Sequence, residues 1–201
     1  MLALVIIVRY VFLDRDGVLN RKLPEGAYVS DWVQFEWLPG AVEAIARMNR
    51  AGLTVIVVSN QRGIALGRVS VEQLELIHDQ MRSHLARQGA RLDAIYYCPH
   101  DQGECNCRKP DIGLFEQATK DFPQVKSDNS VVIGDSLSDI QAGRRLGMRT
   151  LFIQGEPDRQ KPGAQAAASL ADEVAASLLQ AVENHLGLSA TTEPPRSVGR
   201  G

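Results

Sequence analysis

The sequence has little net charge, few cysteines and no hydrophobic run long enough to cross a bilayer. Its formal net charge is −2, so it lacks the basic surface that attracts nucleic acid or anionic membranes. The apolar stretch 1–8 is shorter than the roughly 20 residues of a membrane helix. It also lacks the basic start and cleavage site of a signal peptide. We therefore expect a cytoplasmic protein that binds neither nucleic acid nor membrane.

Cysteine occurs only at positions 98, 105 and 107. An odd, clustered set in a chain without a signal peptide argues against a disulfide framework. No internal repeat or low-complexity linker divides the sequence, and 201 residues suffice for one hydrophobic core. We expect a single domain over residues 1–187 and a disordered tail over 188–201, where Thr, Pro, Arg and Gly replace the apolar pattern.

Apolar runs that end in polar or turn-forming residues predict five buried strands. The strands are predicted at 11–13 (with an apolar lead from residue 4), 53–58, 93–97, 130–133 and 149–153. Helices are predicted at 41–50, 71–87, 114–120 and 137–146, with one or two more over 164–186. Strands that alternate with helices form βαβ units, so the pattern predicts an α/β fold with a central parallel sheet.

The most informative segment is Val11-Phe-Leu-Asp-Arg-Asp-Gly17. Two carboxylates at the end of a buried strand repel one another and resist burial unless a cation offsets them. Mg²⁺ prefers such oxygen ligands and works alongside substrate phosphates. One carboxylate can then act as a nucleophile while the other transfers a proton. The alternative is an ordinary Asp-Gly turn after a strand.

Three further strand or loop ends carry polar groups. Ser59-Asn60-Gln61 could cradle phosphate oxygens, or could form a simple turn. Arg108-Lys109-Pro110 suits a phosphate clamp, although adjacent cations are also common on solvated surfaces. Asp135 follows the strand at 130–133, and Asp139 lies one helical turn further on. Asp135 could cap the next helix, but with Asp14 and Asp16 it supplies a third acidic ligand for Mg²⁺.

Cys98, His100, Cys105 and Cys107 lie within ten residues. Three thiols and one imidazole match a tetrahedral structural Zn²⁺ site with no open ligand position. We predict a zinc loop over 98–107 that presents Lys109 in a fixed geometry. The spacing differs from that of common zinc fingers. Independent reduced cysteines are the alternative.

The order Asp14-Arg-Asp16-Gly, Ser59-Asn60, Lys109 and Gly134-Asp135 resembles the haloacid dehalogenase-like superfamily of phosphohydrolases, over about residues 10–155. The resemblance implies a three-layer, Rossmann-like fold. No insertion between these motifs is long enough to form a separate cap domain.

The same resemblance implies roles for these residues. Asp14 would be the nucleophile that forms an aspartyl-phosphate, and Asp16 the general acid and base. Ser59 and Lys109 would bind the transferred phosphoryl group. The implied ligands of Mg²⁺ are Asp14, the backbone carbonyl of Asp16, and Asp135. Asp139 would support the site without binding the metal itself.

Within the superfamily, the Cys-Pro-His…Cys-x-Cys-Arg-Lys-Pro string resembles two groups, the heptose bisphosphate 7-phosphatases and the histidinol-phosphate phosphatases. The segments 60–67 and 25–29 resemble the heptose group more closely. That group removes the 7-phosphate of a heptose bisphosphate in the synthesis of nucleotide-activated heptose for lipopolysaccharide core or S-layer. Histidinol phosphate remains the alternative substrate, and a non-catalytic, zinc-stabilised phosphate-binding module is an alternative of another class.

We expect a monomer that binds a small sugar phosphate. The residues expected to contact it are Tyr28, Asn60, Gln61, Arg62 and Arg108. The sequence departs from the heptose group at two positions: Ser136 stands where some members carry lysine, and Leu66 replaces a frequent arginine. Both departures remove a cation near the substrate.

Overall fold

The computed structural model describes residues 8–189. Two predictions therefore fall largely outside the described residues. One is the apolar lead from residue 4 into the first strand, and the other is the disordered tail, of which only 188 and 189 are described.

One six-stranded parallel sheet forms the centre of the described chain. Its strands are β1 Tyr10–Leu13, β2 Thr54–Asn60, β3 Ala94–Cys98, β4 Ser130–Gly134, β5 Arg149–Ile153 and β6 Glu173–Ala175. Their order is β3-β2-β1-β4-β5-β6, and all neighbours are parallel. Strands β2 and β3 lie on one side of β1, and strands β4, β5 and β6 lie on the other, so the strand order reverses between β1 and β4. Such a switch point opens a crevice at the carboxyl ends of the two strands.

Helices cover both faces of this sheet. They are α1 Ala41–Arg50, α2 Val71–Arg87, α3 Gly113–Asp121, α4 Leu137–Arg145, α5 Ala164–Leu170 and α6 Leu178–Asn184. Side chains alternate along β1, so Val11 and Leu13 pack with α1, α2 and α6, whereas Phe12 packs with α3 and α4. Helix α5 packs with α4 and β5. The predicted three-layer α/β fold is confirmed.

Local sequence explains helix α2 well. Its first turn is held by a capping box, in which Gln73 N donates to Ser70 Oγ at 3.1 Å and Ser70 N donates to Gln73 Oε1 at 2.8 Å. This arrangement satisfies two otherwise unpaired backbone groups. The apolar positions of the helix are buried at helical spacing: Leu74, Ile77, Met81 and Leu85.

The segment 164–186 differs from the prediction because a strand separates its two helices. Val174 continues the helical spacing of the apolar residues but lies in β6, where it pairs with Phe152 of β5. Asp172 Oδ2 accepts hydrogen bonds from the backbone N and Oγ of Thr150, which brings the segment to the edge of the sheet. Pairing at an open sheet edge outweighs the local helical preference.

The strands of residues 8–189 all belong to this one sheet, in agreement with the predicted absence of a separate cap domain. Among the described helices, none has the length and hydropathy required to span a bilayer.

Candidate active site

The polar strand ends lie together in the crevice between β1 and β4. Asp14 directly follows β1, and its backbone N donates to Ile133 O of β4 at 3.0 Å. Asp135 directly follows β4, and Asp139 lies in the first turn of α4. One carboxylate oxygen from each of these three aspartates lies within 4.8 Å of the other two. All three are buried, so the site concentrates negative charge where water cannot screen it.

Lys109 extends into this acidic group. Its Nζ lies 3.0 Å from Asp14 Oδ1 and 2.6 Å from Asp139 Oδ1, and it donates to the carbonyl of Val58 at 2.5 Å. Burial alone would lower the pKa of Lys109, but the charges of Asp139 and Asp14 outweigh burial and raise it. The side chain therefore remains an ammonium.

Asn60 holds the backbone of Lys109 in place. Its Nδ2 donates to the carbonyl of Lys109 at 3.0 Å, and the backbone N of Lys109 donates to its Oδ1 at 3.0 Å. Asn60 is also predicted to contact substrate, and in this structure both polar atoms of its side chain position Lys109.

The pKa of Asp14 is raised to about 6, chiefly by burial, and the charge of Asp139 adds to the effect while Lys109 opposes it. A divalent cation beside the carboxylate would favour its charged form and lower this pKa. Buried carboxylate oxygens are also the ligands that Mg²⁺ prefers. The group formed by Asp14, Asp135 and Asp139 therefore fits the predicted metal.

Asp16 directs its carboxylate away from this group. The carboxylate accepts hydrogen bonds from Arg15 at 3.0 and 3.1 Å, Asn20 at 3.0 Å and Gln61 at 2.9 Å. Burial would raise the pKa of Asp16, but these partners, with Arg15 the strongest, lower it to about 2. The Asp16 side chain is thus not a member of the three-carboxylate group, and the implied metal ligand at this position is the backbone carbonyl.

Gln61 connects two predicted catalytic residues. Its Nε2 donates to Ser59 Oγ at 2.7 Å and to Asp16 Oδ2 at 2.9 Å. Ser59 is 1% exposed. Because its oxygen already accepts a hydrogen bond from Gln61, the hydroxyl proton is available for a phosphoryl oxygen.

Asp139 joins the start of α4 to Lys109. Its Oδ2 accepts hydrogen bonds from Ser136 N at 3.0 Å and Ser136 Oγ at 2.6 Å, while its Oδ1 pairs with Lys109. The hydroxyl of Ser136 therefore forms its hydrogen bond within the first turn of α4. Through these contacts Asp139 holds Lys109 beside Asp14.

Two glycines permit the close approach of these carboxylates. Gly17 has φ +97°, and a Cβ there would lie 2.0 Å from Asp135 Oδ2. A Cβ at Gly134 would lie 2.2 Å from the Cβ of Asp139. Both contacts are far shorter than van der Waals distance, so a side chain at either position would displace an acidic residue of the site.

Cations that sequence reasoning missed complete the site. Lys161 Nζ lies 3.3 Å from Asp135 Oδ1 and 4.0 Å from Asp14 Oδ2, and Lys22 Nζ forms an ion pair with Asp135 Oδ2. Arg15, inside the first motif, pairs with Asp16. Lys22 and Lys161 lie in segments without a recognisable motif, so no sequence signal pointed to them.

The four predicted zinc ligands form a compact cluster. The three sulfur atoms lie 3.0, 3.2 and 3.4 Å from one another, and His100 Nδ1 lies 3.4 Å from Cys107 Sγ and 3.6 Å from Cys98 Sγ. A tetrahedral zinc ion with ligand distances of about 2.0–2.3 Å has edges of about 3.3–3.8 Å. Both N–S separations and one S–S separation fall in this range, and the other two S–S separations are slightly shorter, so a small outward shift of the thiols would let the cluster hold Zn²⁺.

Two of the predicted substrate-binding residues contact the zinc loop. Arg62 donates to Asp101 Oδ1 at 2.6 Å and to Oδ2 at 3.0 Å, and Arg108 Nη1 donates to the carbonyl of His100 at 3.5 Å. The Arg62 pair joins the loop after β2 to the zinc loop. Neither arginine contacts the acidic group.

A cavity of about 400 Å³ opens beside Asp16. Its lining includes the predicted substrate-binding residues Tyr28, Asn60 and Gln61, and also Lys161. Its volume suits a small sugar phosphate.

Residues 106–181 match a family model described as HAD-hydrolase-like. This match agrees with the parallel sheet and the buried acidic group described above, which are typical of the haloacid dehalogenase-like hydrolases. The chain is 41% identical over 137 residues to the D-glycero-alpha-D-manno-heptose-1,7-bisphosphate 7-phosphatase of Mycobacterium tuberculosis, which covers 68% of this chain and 72% of that protein. It is 38% identical over 151 residues to the beta-anomer enzyme of Vibrio cholerae, covering 71% and 79%.

The D,D-heptose 1,7-bisphosphate phosphatase of Bordetella bronchiseptica, solved with magnesium and phosphate, superposes with a TM-score of 0.78 at 31% identity. The match covers 90% of this chain and all of that one. Within the haloacid dehalogenase-like hydrolases, the chain therefore belongs to the family of the heptose bisphosphate phosphatases. The resemblance predicted from the motifs is confirmed.

Proposed function

We propose that this protein hydrolyses the 7-phosphate of D-glycero-D-manno-heptose 1,7-bisphosphate, in the synthesis of nucleotide-activated heptose. The observation that carries the proposal is the contact of Lys109 with Asp14 inside the buried acidic group, next to a cavity of suitable size. The three relatives described above all carry the name of this activity. They support heptose bisphosphate over histidinol phosphate.

The reaction has two steps at the phosphorus atom. A carboxylate oxygen of Asp14 forms a bond to phosphorus, the ester P–O bond breaks, and Asp16 gives a proton to the departing sugar oxygen. Asp16, now a carboxylate, then takes a proton from a water molecule. The water oxygen bonds to phosphorus, the bond to Asp14 breaks, and inorganic phosphate leaves. Lys109 and Ser59 bind the phosphoryl oxygens in both steps.

The low pKa of Asp16 keeps its side chain a carboxylate in the free protein, and this is the form that accepts a proton in the second step. To act first as the acid, Asp16 must carry a proton. The arrival of a phosphoryl dianion supplies negative charge nearby and raises the pKa of a carboxyl group. Substrate binding therefore favours the protonated form of Asp16, which the first step requires.

Mg²⁺ would be held by Asp14, Asp135 and the backbone carbonyl of Asp16, and would neutralise charge on the transferred phosphoryl group. The remaining positive charge at the site comes from the chain itself, chiefly from Lys109. We further propose that the enzyme works in the cytoplasm, since a small, charged substrate does not cross a membrane unaided, and that it works as a monomer.

A substrate comparison tests the proposed specificity. We expect kcat/KM for heptose 1,7-bisphosphate to exceed that for histidinol phosphate by about 10- to 100-fold, since the second phosphate adds charge-assisted hydrogen bonds of about 1.5–3 kcal/mol. Phosphate release should be measured with both anomers of the bisphosphate and with histidinol phosphate, each with and without Mg²⁺. A preference for histidinol phosphate would overturn the proposed substrate.

The zinc loop is proposed to fix the position of Lys109, which lies two residues after Cys107. Purified protein should contain about one equivalent of zinc by elemental analysis. Replacing Cys107 with serine should remove the metal and lower kcat, because Lys109 loses its fixed position, and added zinc should not restore the variant. Zinc-free protein whose three cysteines react freely with a thiol reagent would contradict this role.

A further inference from the structure

The charged side chains of the active site balance without a metal ion. The carboxylates are Asp14, Asp16, Asp135 and Asp139, and the cations are Arg15, Lys22, Lys109 and Lys161. Arg15 pairs with Asp16, and Lys109 lies between Asp14 and Asp139. The two remaining cations, Lys22 and Lys161, both contact Asp135.

The side chain of Lys161 is less enclosed than that of Lys22. Its side chain is 42% exposed, whereas that of Lys22 is 14% exposed. It lies between β5 and α5, in a segment bounded by Gly155 and Gly163, whose φ angles are +60° and +88°. Lys161 also lines the cavity beside Asp16, so its ammonium can leave the carboxylates without leaving the site.

Lys161 and Mg²⁺ compete for the same partners. The ammonium lies 3.3 Å from an oxygen of Asp135 and 4.0 Å from an oxygen of Asp14, and the proposed function assigns both carboxylates to the metal. A divalent ion and an ammonium repel strongly when they are within about 4 Å. A bound Mg²⁺ would therefore favour movement of Lys161 away from these carboxylates and would add two positive charges to the site, which a phosphoryl dianion would neutralise.

We propose that Lys161 is a further phosphate-binding residue of this active site. Its ammonium pairs with Asp135 and Asp14 in the metal-free protein and binds an oxygen of the phosphoryl group once Mg²⁺ occupies these carboxylates. The proposal rests on the proposed function, because it requires that the site bind Mg²⁺ and a phosphoryl group.

Binding measurements on Lys161→Met test the proposal, since methionine keeps most of the side-chain length without the charge. Calorimetric titration of the metal-free protein with Mg²⁺ alone should give a Kd about threefold lower than wild type, because a competing cation is gone. Titration with inorganic phosphate at saturating Mg²⁺ should give a Kd about tenfold higher, because a charge-assisted hydrogen bond is lost. A residue with only a structural role would not shift the two affinities in opposite directions.

Two further variants serve as controls. Lys161→Arg keeps the charge and should bind phosphate within about threefold of wild type. Lys120→Met removes the same charge from an exposed position in the last turn of α3 and should change neither affinity. Unchanged phosphate affinity in Lys161→Met, or a parallel loss of both affinities, overturns the proposal for Lys161.

The same titrations separate this proposal from the proposed function. Wild-type protein that binds neither Mg²⁺ nor phosphate contradicts both. Wild-type protein that binds both and shows the opposite shifts on Lys161→Met, yet does not hydrolyse heptose bisphosphate, contradicts only the proposed substrate.

Discussion

Replacing Asp14 with asparagine is expected to reduce kcat for phosphate release by about 10⁴-fold or more, the scale seen when a nucleophile is removed. Asparagine has nearly the same shape as aspartate but cannot form the phosphoryl-enzyme bond. The free energy of unfolding should change little, since burial already disfavours the charged form of Asp14 and Lys109 keeps its pair with Asp139. Steady-state kinetics and denaturant unfolding measure the two quantities.

A matched control for this variant is Asp128→Asn, which removes the same charge from an exposed position before β4. Its kcat should equal that of wild type. Phosphatase activity that survives in Asp14→Asn would contradict the aspartyl-phosphate mechanism. Wild-type protein that releases no phosphate from any ester in the presence of Mg²⁺ would instead favour the non-catalytic phosphate-binding module.

Replacing Lys109 with methionine is expected to destabilise the fold as well as to remove activity. Asp14 and Asp139 would remain buried without their ion-pair partner, and loss of one partner from a buried pair reduces the free energy of unfolding by about 3–5 kcal/mol. Urea unfolding in metal-free buffer at neutral pH measures this effect. The loss of kcat should persist at saturating Mg²⁺, because no ammonium then binds the phosphoryl group.

The double variant Lys109→Met/Asp139→Asn isolates the electrostatic part of this loss. Asparagine at position 139 removes one of the two carboxylates left without an ion-pair partner. The double variant should therefore unfold at a higher urea concentration than Lys109→Met. Its activity should stay as low as that of Lys109→Met. Equal stability of the single and double variants would show that packing, not unpaired charge, causes the destabilisation.

The destabilisation by Lys109→Met should also depend on pH in a defined direction. In wild type, Lys109 outweighs burial and lowers the pKa of Asp139 below its ordinary value of 3.8. A lowered carboxyl pKa stabilises the fold above the unfolded-state pKa, and this stabilisation is lost as pH falls. Without Lys109, burial raises the pKa of the unpaired carboxylates in the variant. The stability difference between wild type and Lys109→Met should therefore be largest near neutral pH and should shrink as pH falls, beginning above the ordinary carboxyl pKa of 3.8.

Much of the fold and of the site could be predicted from local sequence. The capping box at Ser70 acts between residues three apart, so the start of α2 is visible in the sequence itself. The apolar run into Asp14 predicts both a buried strand and a carboxylate at its end. The carboxyl ends of parallel strands meet at one edge of a sheet, so Ser59 and Asp135 could be placed beside Asp14 without coordinates.

Other features could not be predicted because they depend on contacts between distant segments. Val174 follows the helical spacing of its neighbours, and only the open edge of β5 makes it part of a strand. Arg62, a predicted substrate-binding residue, pairs with Asp101, 39 residues away, and this pair has no local sequence signal. Asn60 likewise binds the backbone of Lys109 across 49 residues.

The sequence by itself determined the class of fold, the strand that ends at Asp14 and the grouping of the predicted zinc ligands, because each depends on residues close together in the chain. Only the tertiary structure decided how charge is distributed around Asp14. Lys22 and Lys161 come from segments that carry no motif, and they meet Asp135 only because the ends of β1, β4 and β5 converge. Electrostatic interactions depend on distance in space rather than in sequence, and the balance of this site therefore exists only in the folded chain.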